Sequence, residues 1–219
     1  MLANFKNTVG DLFKAHDHFA QLQLVLWDLD GTLYDEMHFL EHAYGRIADR
    51  AAETSGADRK QAFDFLKQEF LAGGRQGLFD RFCETFQIPP SNIPAFLAIM
   101  RNEGWESPLA HHPLPRFLMQ LFGALSVRQV IVTNGHPAQQ LNKIERLAIL
   151  PDGLVADIGF CDKLERKPSP TALLQAMAQF GATPERTILF GDSDVDALAA
   201  SRAGISFVRF GLDAAAIEQ

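Results

Sequence analysis

The second half of the sequence alternates short apolar runs with segments of helical periodicity. Helices are expected at about 137–148 and 170–180, between apolar runs at 127–132, 154–158, 187–190 and 205–208. Another apolar run, Leu24–Trp27, stands near the start of the chain. Because parallel strands need long crossover connections, which are usually helical, this alternation predicts an α/β fold with a parallel sheet covered on both faces.

A long segment between the first apolar run and the others has a different pattern. From about residue 36 to 104, apolar residues recur at three- and four-residue intervals, and no convincing strand occurs. Glycine and proline pairs divide the segment, which predicts an insertion of about four helices. We therefore expect a core domain formed by residues 1–34 and 108–219 and a helical domain formed by residues 35–107. A further amphipathic helix is expected at about 8–20, on the outside of the core.

Composition excludes several classes of function. The chain has 219 residues and a formal net charge of −7, without a Lys/Arg cluster, so a nucleic-acid polymer is not the expected partner. No stretch is long and apolar enough to cross a membrane. The two cysteines, Cys83 and Cys161, are expected to be buried and reduced. We expect a cytoplasmic enzyme, monomeric or homodimeric.

Polar residues follow several of the predicted strands. In an open parallel sheet, ligands bind beyond the carboxyl ends of the strands. One such cluster could be ordinary turn chemistry, because Asp, Asn, Gly and Ser are common in turns. Four such clusters in one chain make ordinary turn chemistry a poor explanation. The clusters are Asp28-Leu29-Asp30-Gly31-Thr32, Thr133-Asn134-Gly135, Lys167-Pro168 and Gly191-Asp192-Ser193-Asp194-Val195-Asp196.

The carboxylates in these clusters suit phosphoryl transfer. Asp28 and Asp30, one residue apart, can reach one site where the strand opens into a loop, and Asp192 adds a third carboxylate. Such an oxygen-rich cluster suits Mg²⁺, which relieves the repulsion between the carboxylates. A carboxylate can attack phosphorus and form an aspartyl-phosphate, and the departing alkoxide then needs a second acid. Asp28 is the candidate nucleophile and Asp30 the candidate acid and base.

The other clusters offer groups that bind anions. Thr133 and Asn134 provide a hydroxyl, an amide and backbone N–H groups, and Gly135 follows in the same phosphate-binding loop. Lys167 adds a positive charge against the negative charge that grows on the transferring group. Ser169-Pro170 fits an N-cap and a first helical residue, which would place Lys167 in a loop just before a helix.

As a set, these motifs resemble those of the haloacid dehalogenase-like hydrolase superfamily, and the helical insertion falls where that family carries its helical cap. The resemblance covers roughly residues 24–35 and 108–212. It implies a Rossmann-like doubly wound core, with Asp28 as nucleophile and metal ligand. It implies that Asp30 is the general acid and base and binds the metal through its backbone carbonyl.

The resemblance also implies roles for the remaining motif residues. Thr133 and Asn134 would bind the phosphoryl group, and Lys167 would bridge that group to the nucleophile. Asp192 would bind Mg²⁺, and Asp196 would orient Lys167 or the waters of the metal. Asp194 is expected to act at the N-terminus of the following helix.

Several reactions share this scaffold, so the fold alone does not select one. True haloacid dehalogenases, by resemblance, lack the second aspartate, so Asp30 favours a phosphatase acting on a small phosphorylated metabolite. A phosphosugar mutase uses the same aspartate and stays open as the alternative. A phosphonate-cleaving enzyme would need a cap lysine that forms a Schiff base, and a non-catalytic binding protein would be expected to lose a motif; both are less favoured.

Substrate choice is expected to depend on the helical insertion. Arg75, in a glycine-rich turn, is the candidate ligand for a second anionic group of the substrate. His38, His42 and Arg46 share one helical face and are weaker candidates. The segment ending in Tyr34-Asp35 is similar to that of pyrimidine 5′-nucleotidase-like members, which raises nucleoside monophosphates as candidate substrates.

Overall fold

The structure, a computed structural model, describes residues 21–101, 109–147 and 153–210. The chain divides into two compact units. An α/β unit takes the chain up to Asp35 and from Ala110 onward, and a helical unit comprises Glu36–Leu109. The helix predicted at residues 8–20 lies outside the described residues.

The helical unit has an aromatic core. Phe82 is fully buried and packs against Phe65 and Phe96, with ring centroids 6.0 and 5.7 Å away. The all-helical insertion is confirmed for the described part of this unit. None of the helices in the described ranges of the chain has the length and apolar composition to cross a membrane. The helices are α1 (Glu36–Ser55), α2 (Arg59–Gly73), α3 (Leu78–Thr85) and α4 (Ile93–Met100).

The α/β unit is built on a five-stranded parallel sheet. The strands lie in the order β3-β2-β1-β4-β5. This architecture confirms the predicted fold class. The strands are β1 (Leu24–Trp27), β2 (Arg128–Thr133), β3 (Asp157–Phe160), β4 (Thr187–Gly191) and β5 (Ser206–Arg209), and the helices are α5 (Pro113–Ala124), α6 (Pro137–Arg146), α7 (Thr171–Phe180) and α8 (Asp194–Ala203).

Some predicted boundaries were wrong by a few residues. The third strand begins at Asp157 rather than at Leu154. β3 is an edge strand that pairs with β2 alone, so its extent is set by where β2 offers partners, from Val130 to Thr133. Helix α7 begins at Thr171, one residue after the predicted start, and Pro170 precedes it as the capping residue.

Helices cover both faces of the sheet because side chains alternate along each strand. Leu24 and Leu26 lie in a core cluster with residues of α7 and α8. Trp27 points to the other face, where its ring stacks on Phe190 at 4.5 Å and lies 6.3 Å from Phe122 of α5. Its indole N–H donates to the side chain of Gln129, so the buried polar atom is satisfied.

The order of the strands places two sequence motifs side by side. The chain runs from β1 to β2 and β3 on one side and then to β4 and β5 on the other, so the direction of winding reverses beside β1. Trp27 is paired with Phe190, and the backbone N–H of Asp28 donates to the carbonyl of Phe190 at 2.8 Å. Asp28 and Asp192 therefore leave the sheet at adjacent strand ends, where open α/β sheets bind their ligands.

Candidate active site

A buried lysine joins three of the motifs. The ammonium of Lys167 donates to Asp28 at 2.5 Å, to Asp196 at 2.6 Å and to the backbone carbonyl of Val132 at 2.9 Å. Its side chain is 2% exposed, whereas that of Asp28 keeps 10% of its surface in solvent. Burial alone would lower the pKa of Lys167, but the two carboxylates outweigh burial and raise it, so the lysine stays charged.

Three carboxylates converge around this lysine. One oxygen each from Asp28, Asp192 and Asp196 lies within 4.8 Å of the others. Gly31 permits this approach, because a Cβ on Gly31 would come within 2.3 Å of a carboxylate oxygen of Asp192. The residue must also be glycine for its backbone, whose φ is +75°.

The charges in this cluster do not balance. Burial, followed by the negative charge of Asp196, raises the pKa of Asp28 to about 7 against the opposing effect of Lys167. Burial and Asp196 also raise the pKa of Asp192 to about 6. Three carboxylates facing one ammonium leave excess negative charge, which a divalent cation with oxygen ligands would neutralise. The donor set of this cluster thus fits a hard divalent metal.

Asp196 is committed to other contacts within the same cluster. One of its oxygens accepts from Lys167, and the other accepts from the hydroxyl of Ser193 at 2.5 Å and from the Ser193 backbone N–H at 3.2 Å. These bonds complete a capping box at the start of α8. Asp194 points elsewhere: its side chain is 98% exposed and pairs with Arg209. We therefore assign Asp196 to holding Lys167.

Two residues of the predicted phosphate-binding loop contact neighbouring loops. The side-chain oxygen of Asn134 accepts from the backbone N–H of Lys167 at 2.9 Å, and its amide donates to the Lys167 carbonyl at 3.1 Å. The Asn134 side chain therefore holds the lysine loop through its oxygen and one of its two N–H groups, and its role toward a phosphoryl group stays a prediction. The backbone N–H of Gly135 is also engaged, donating to Asp162 at 2.8 Å.

Asp30 lies in a separate network of hydrogen bonds. One carboxylate oxygen accepts from the ammonium of Lys143 at 2.7 Å and from the hydroxyl of Tyr34. The other accepts from the amide of Gln140 at 2.8 Å, and the same amide donates to the Thr133 hydroxyl at 2.7 Å. The Asp30 side chain is 16% exposed. Its carboxylate is not part of the three-carboxylate group, so a metal-binding role would rest on its backbone carbonyl.

Sequence reasoning missed Gln140 and Lys143. Both lie on α6, and both are buried although they are polar. Glutamine and lysine on a helix normally indicate a solvent-exposed face, and the apolar Leu141 of this helix is instead 38% exposed. The sequence signal for these buried polar residues was the low apolar content of α6, since a helix that packs on a sheet must bury one face.

The candidate residues for substrate selection lie in the helical unit. Arg75 forms an ion pair with Glu36, and its guanidinium lies over the ring of Phe70. His38 and His42 contact each other, with ring centroids 5.9 Å apart. The role of Arg75 as a ligand for the substrate stays a prediction. Two lysines of this unit, Lys60 and Lys67, form ion pairs with Asp64 and Glu41.

Comparisons with known proteins agree with this arrangement of motifs. The sequence model of one family, described as haloacid dehalogenase-like hydrolase, matches residues 22–204. The phosphoglycolate phosphatase of Aquifex aeolicus is 23% identical over 193 residues, covering 84% of this chain and 82% of the relative. The phosphoglycolate phosphatase of Pseudomonas putida is 26% identical over 213 residues, covering 85% of this chain and 68% of the relative.

Solved structures share the fold at lower sequence identity. A structure described as a HAD phosphatase from Thermococcus onnurineus superposes with a TM-score of 0.63 at 20% identity. The match covers 88% of this chain and 88% of that one. At this identity, the comparison establishes the fold alone.

Proposed function

The chain belongs to the haloacid dehalogenase-like hydrolases, and on that premise we propose that it hydrolyses small phosphate monoesters with Mg²⁺ through a phosphoryl group carried on Asp28. One observation carries the proposal. A partly exposed carboxylate at the end of the central strand faces a buried ammonium 2.5 Å away and stands beside the carboxylate of Asp192. This arrangement supports a nucleophile placed between a positive charge and a metal.

The residues divide the chemistry between them. A carboxylate oxygen of Asp28 attacks phosphorus, and the bond between phosphorus and the ester oxygen breaks. Asp30 gives its proton to the departing alkoxide. In the second half, water attacks the phosphorus of the aspartyl-phosphate and passes a proton to Asp30, which releases phosphate and restores both residues. Lys167 stabilises the negative charge on the transferring group throughout.

Mg²⁺ would supply positive charge at the phosphate oxygens, and Asp28 and Asp192 would hold it together with the backbone carbonyl of Asp30. The chain retains Asp30, whose proton an alkoxide needs and a halide does not. This residue favours phosphate esters over haloacids as substrates.

The substrate class follows from the relatives and from the helical unit. Both curated relatives are named phosphoglycolate phosphatases, so phosphoglycolate is the first substrate to test. The pairing of Arg75 with a carboxylate supports a role for this arginine in binding a second anionic group, such as the carboxylate of that substrate. Nucleoside 5′-monophosphates are the next class, in line with the resemblance of the segment around Tyr34.

The test measures release of inorganic phosphate from phosphoglycolate, nucleoside 5′-monophosphates and glucose 1-phosphate. We expect activity with Mg²⁺ and its loss in EDTA. Asp28→Asn should lower kcat by more than about 10³-fold, the scale on which enzymes lose activity without their nucleophile. Asp194→Asn is the matched control, since this exposed carboxylate lies outside the cluster.

Two results would contradict the proposal. Full activity in EDTA would exclude the metal, and unchanged turnover in Asp28→Asn would exclude the nucleophile. Conversion of a sugar phosphate into its isomer without release of phosphate would instead identify a mutase.

A further inference from the structure

A buried cation stands beside the candidate acid although it belongs to none of the four motifs. The side chain of Lys143 is 0% exposed, and its ammonium lies 2.7 Å from a carboxylate oxygen of Asp30. Removing an ammonium from water costs free energy, which only compensating charges and hydrogen bonds can offset. The side chain is therefore tied to the carboxylate of Asp30, the group on which the proposed proton transfer depends.

Gln140, one turn earlier on α6, contacts the same carboxylate at its other oxygen. Its amide lies 2.8 Å from Asp30, 2.7 Å from the Thr133 hydroxyl and 3.0 Å from the Asn134 carbonyl. A carboxylate and a carbonyl only accept hydrogen bonds, so the NH₂ end of the amide must face them. Gln140 thereby fixes the distance between the candidate acid and the loop that follows β2.

The neighbouring glycine supports this placement of Gln140. Gly135 has a φ of +122°, and a Cβ there would come within 3.2 Å of the side chain of Gln140. The loop after β2 thus has both the backbone conformation and the space that keep Gln140 against Asp30. A side chain at position 135 would press on the Gln140 side chain and require it to shift by a few tenths of an ångström.

We propose that Lys143 and Gln140 are positioning residues that hold the carboxyl group of Asp30 for proton transfer to the leaving group and from water. The inference rests on the proposed function, since it concerns the acid of the same reaction. Lys143 and the hydroxyl of Tyr34 act on one oxygen of Asp30 and Gln140 acts on the other, so the carboxyl group is constrained from both ends.

The proposal predicts a dependence on the leaving group. An alkyl phosphate releases a strongly basic alkoxide that needs the proton of Asp30, whereas 4-nitrophenyl phosphate releases a weakly basic phenolate that does not. A misplaced acid should therefore lower kcat/KM, which covers the steps up to departure of the leaving group, far more for the alkyl ester than for the aryl ester. Hydrolysis of the aspartyl-phosphate also uses Asp30 but is the same step for both esters, so it does not enter this comparison. A purely structural defect would slow both esters to the same extent.

The experiment compares Lys143→Met and Gln140→Leu with the wild type on an alkyl phosphate and on 4-nitrophenyl phosphate. For each variant, we expect kcat/KM on the alkyl ester to fall roughly 10- to 100-fold, the usual range for residues that orient a reacting group. On the aryl ester we expect a loss at least several-fold smaller. Arg146→Met is the control, because it removes a cation from the last turn of the same helix.

Further variants distinguish a role in positioning Asp30 from a general effect on folding. Asp30→Asn should give the same dependence on the leaving group. The double variant with Asp30→Asn and Lys143→Met should lose little more activity than Asp30→Asn alone, because both changes act on the same carboxyl group. Lys143→Arg keeps a cation at this position and should recover part of the kcat/KM lost on the alkyl ester.

Each outcome decides a different point. An active wild type whose variants lose kcat/KM equally on both esters would overturn the positioning role and leave the proposed function standing. Failure of Lys143→Arg to recover any activity would also count against the positioning role. A wild type that releases phosphate from neither ester would overturn the proposed function, and this inference with it.

Discussion

At the scale of single residues, the side chain of Asn134 illustrates how the site is held together. Its amide makes two hydrogen bonds to the main chain of Lys167, 33 residues away in sequence. These bonds connect the loop after β2 to the loop before α7. The lysine therefore reaches Asp28 from a main chain that a neighbouring motif keeps in place, rather than from a loop that must order itself when substrate binds.

Replacing Asn134 by alanine tests this connection. Asn134→Ala leaves a buried N–H and a carbonyl of Lys167 without these partners, so we expect the free energy of unfolding to fall by about 1–3 kcal/mol. We expect kcat to fall by about 10²-fold, because a displacement of about 1 Å in a catalytic group has an effect of that size. Denaturant unfolding and phosphate-release kinetics measure the two quantities.

Asn142→Ala provides the matched control, because the side chain of Asn142 accepts a hydrogen bond from Arg146 of the same helix, at 3.1 Å. This bond links two residues one turn apart on α6, so its loss should leave kcat close to that of the wild type. A variant of Asn134 that keeps the wild-type kcat would contradict the positioning role.

At the scale of secondary-structure elements, the start of α8 serves two purposes at once. Ser193 and Asp196 form the capping box that satisfies the first N–H groups of the helix. The other oxygen of Asp196 accepts from Lys167. Asp196 thus caps α8 and also holds Lys167, so a substitution that weakens the cap should also lower catalytic activity.

Substitution of Ser193 tests whether capping of α8 and the position of Lys167 are linked. Ser193→Ala removes a cap and should lower the free energy of unfolding by about 1 kcal/mol. For a chain of this size, that loss corresponds to a fall in Tm of about 2–4 °C. We also expect kcat to fall, because Asp196 loses the hydroxyl that fixes its orientation toward Lys167.

Asp58→Ala is the control for this element, because Asp58 caps α2 in the helical unit by accepting from the backbone N–H of Gln61. It should lower Tm by a similar amount and leave kcat unchanged. Equal effects of the two variants on kcat would show that the cap of α8 has no special connection to the reaction.

At the scale of the whole molecule, stability is coupled to the charge of the site. The chain carries a net charge of −7, and three of its carboxylates meet in one partly buried cluster. The pKa of Asp28 is raised from 3.8 to about 7 and that of Asp192 from 3.8 to about 6. The folded chain therefore binds protons at these groups more tightly than the unfolded chain does.

This coupling predicts how stability depends on pH and metal. The stabilising contribution of the two protonated carboxyls is fully present below about pH 4 and is lost as the pH rises through 6 and 7. Mg²⁺ should replace those protons, so the increase in Tm on adding Mg²⁺ should be larger at pH 8 than at pH 5. Thermal unfolding in EDTA and in Mg²⁺ at the two pH values measures the effect.

Asp192→Asn should reduce the increase in Tm caused by Mg²⁺, because it removes one of the two carboxylates proposed to hold the metal. An increase of the same size at both pH values would contradict the link between the metal and these groups.

Local sequence patterns were enough to predict the fold class and the positions of the motifs. The apolar run Leu24–Trp27 forms a fully buried strand, and the alternation after residue 110 forms a parallel sheet with helices on both faces. Parallel strands share an edge at their carboxyl ends, so the polar residues that follow separate strands could be expected at one place from their order in the sequence.

Only the tertiary structure decided which polar side chains face inward. Gln140 and Lys143 look like surface residues of a helix, yet packing buries them against Asp30 and leaves Leu141 exposed. Asn134 is predicted to bind phosphate, and only the structure shows that its side chain also bonds to the backbone of Lys167. The physical reason is that the periodicity of a helix records apolar faces, whereas a buried polar side chain is stabilised by partners more than a hundred residues away, as Asp30 is for Lys143.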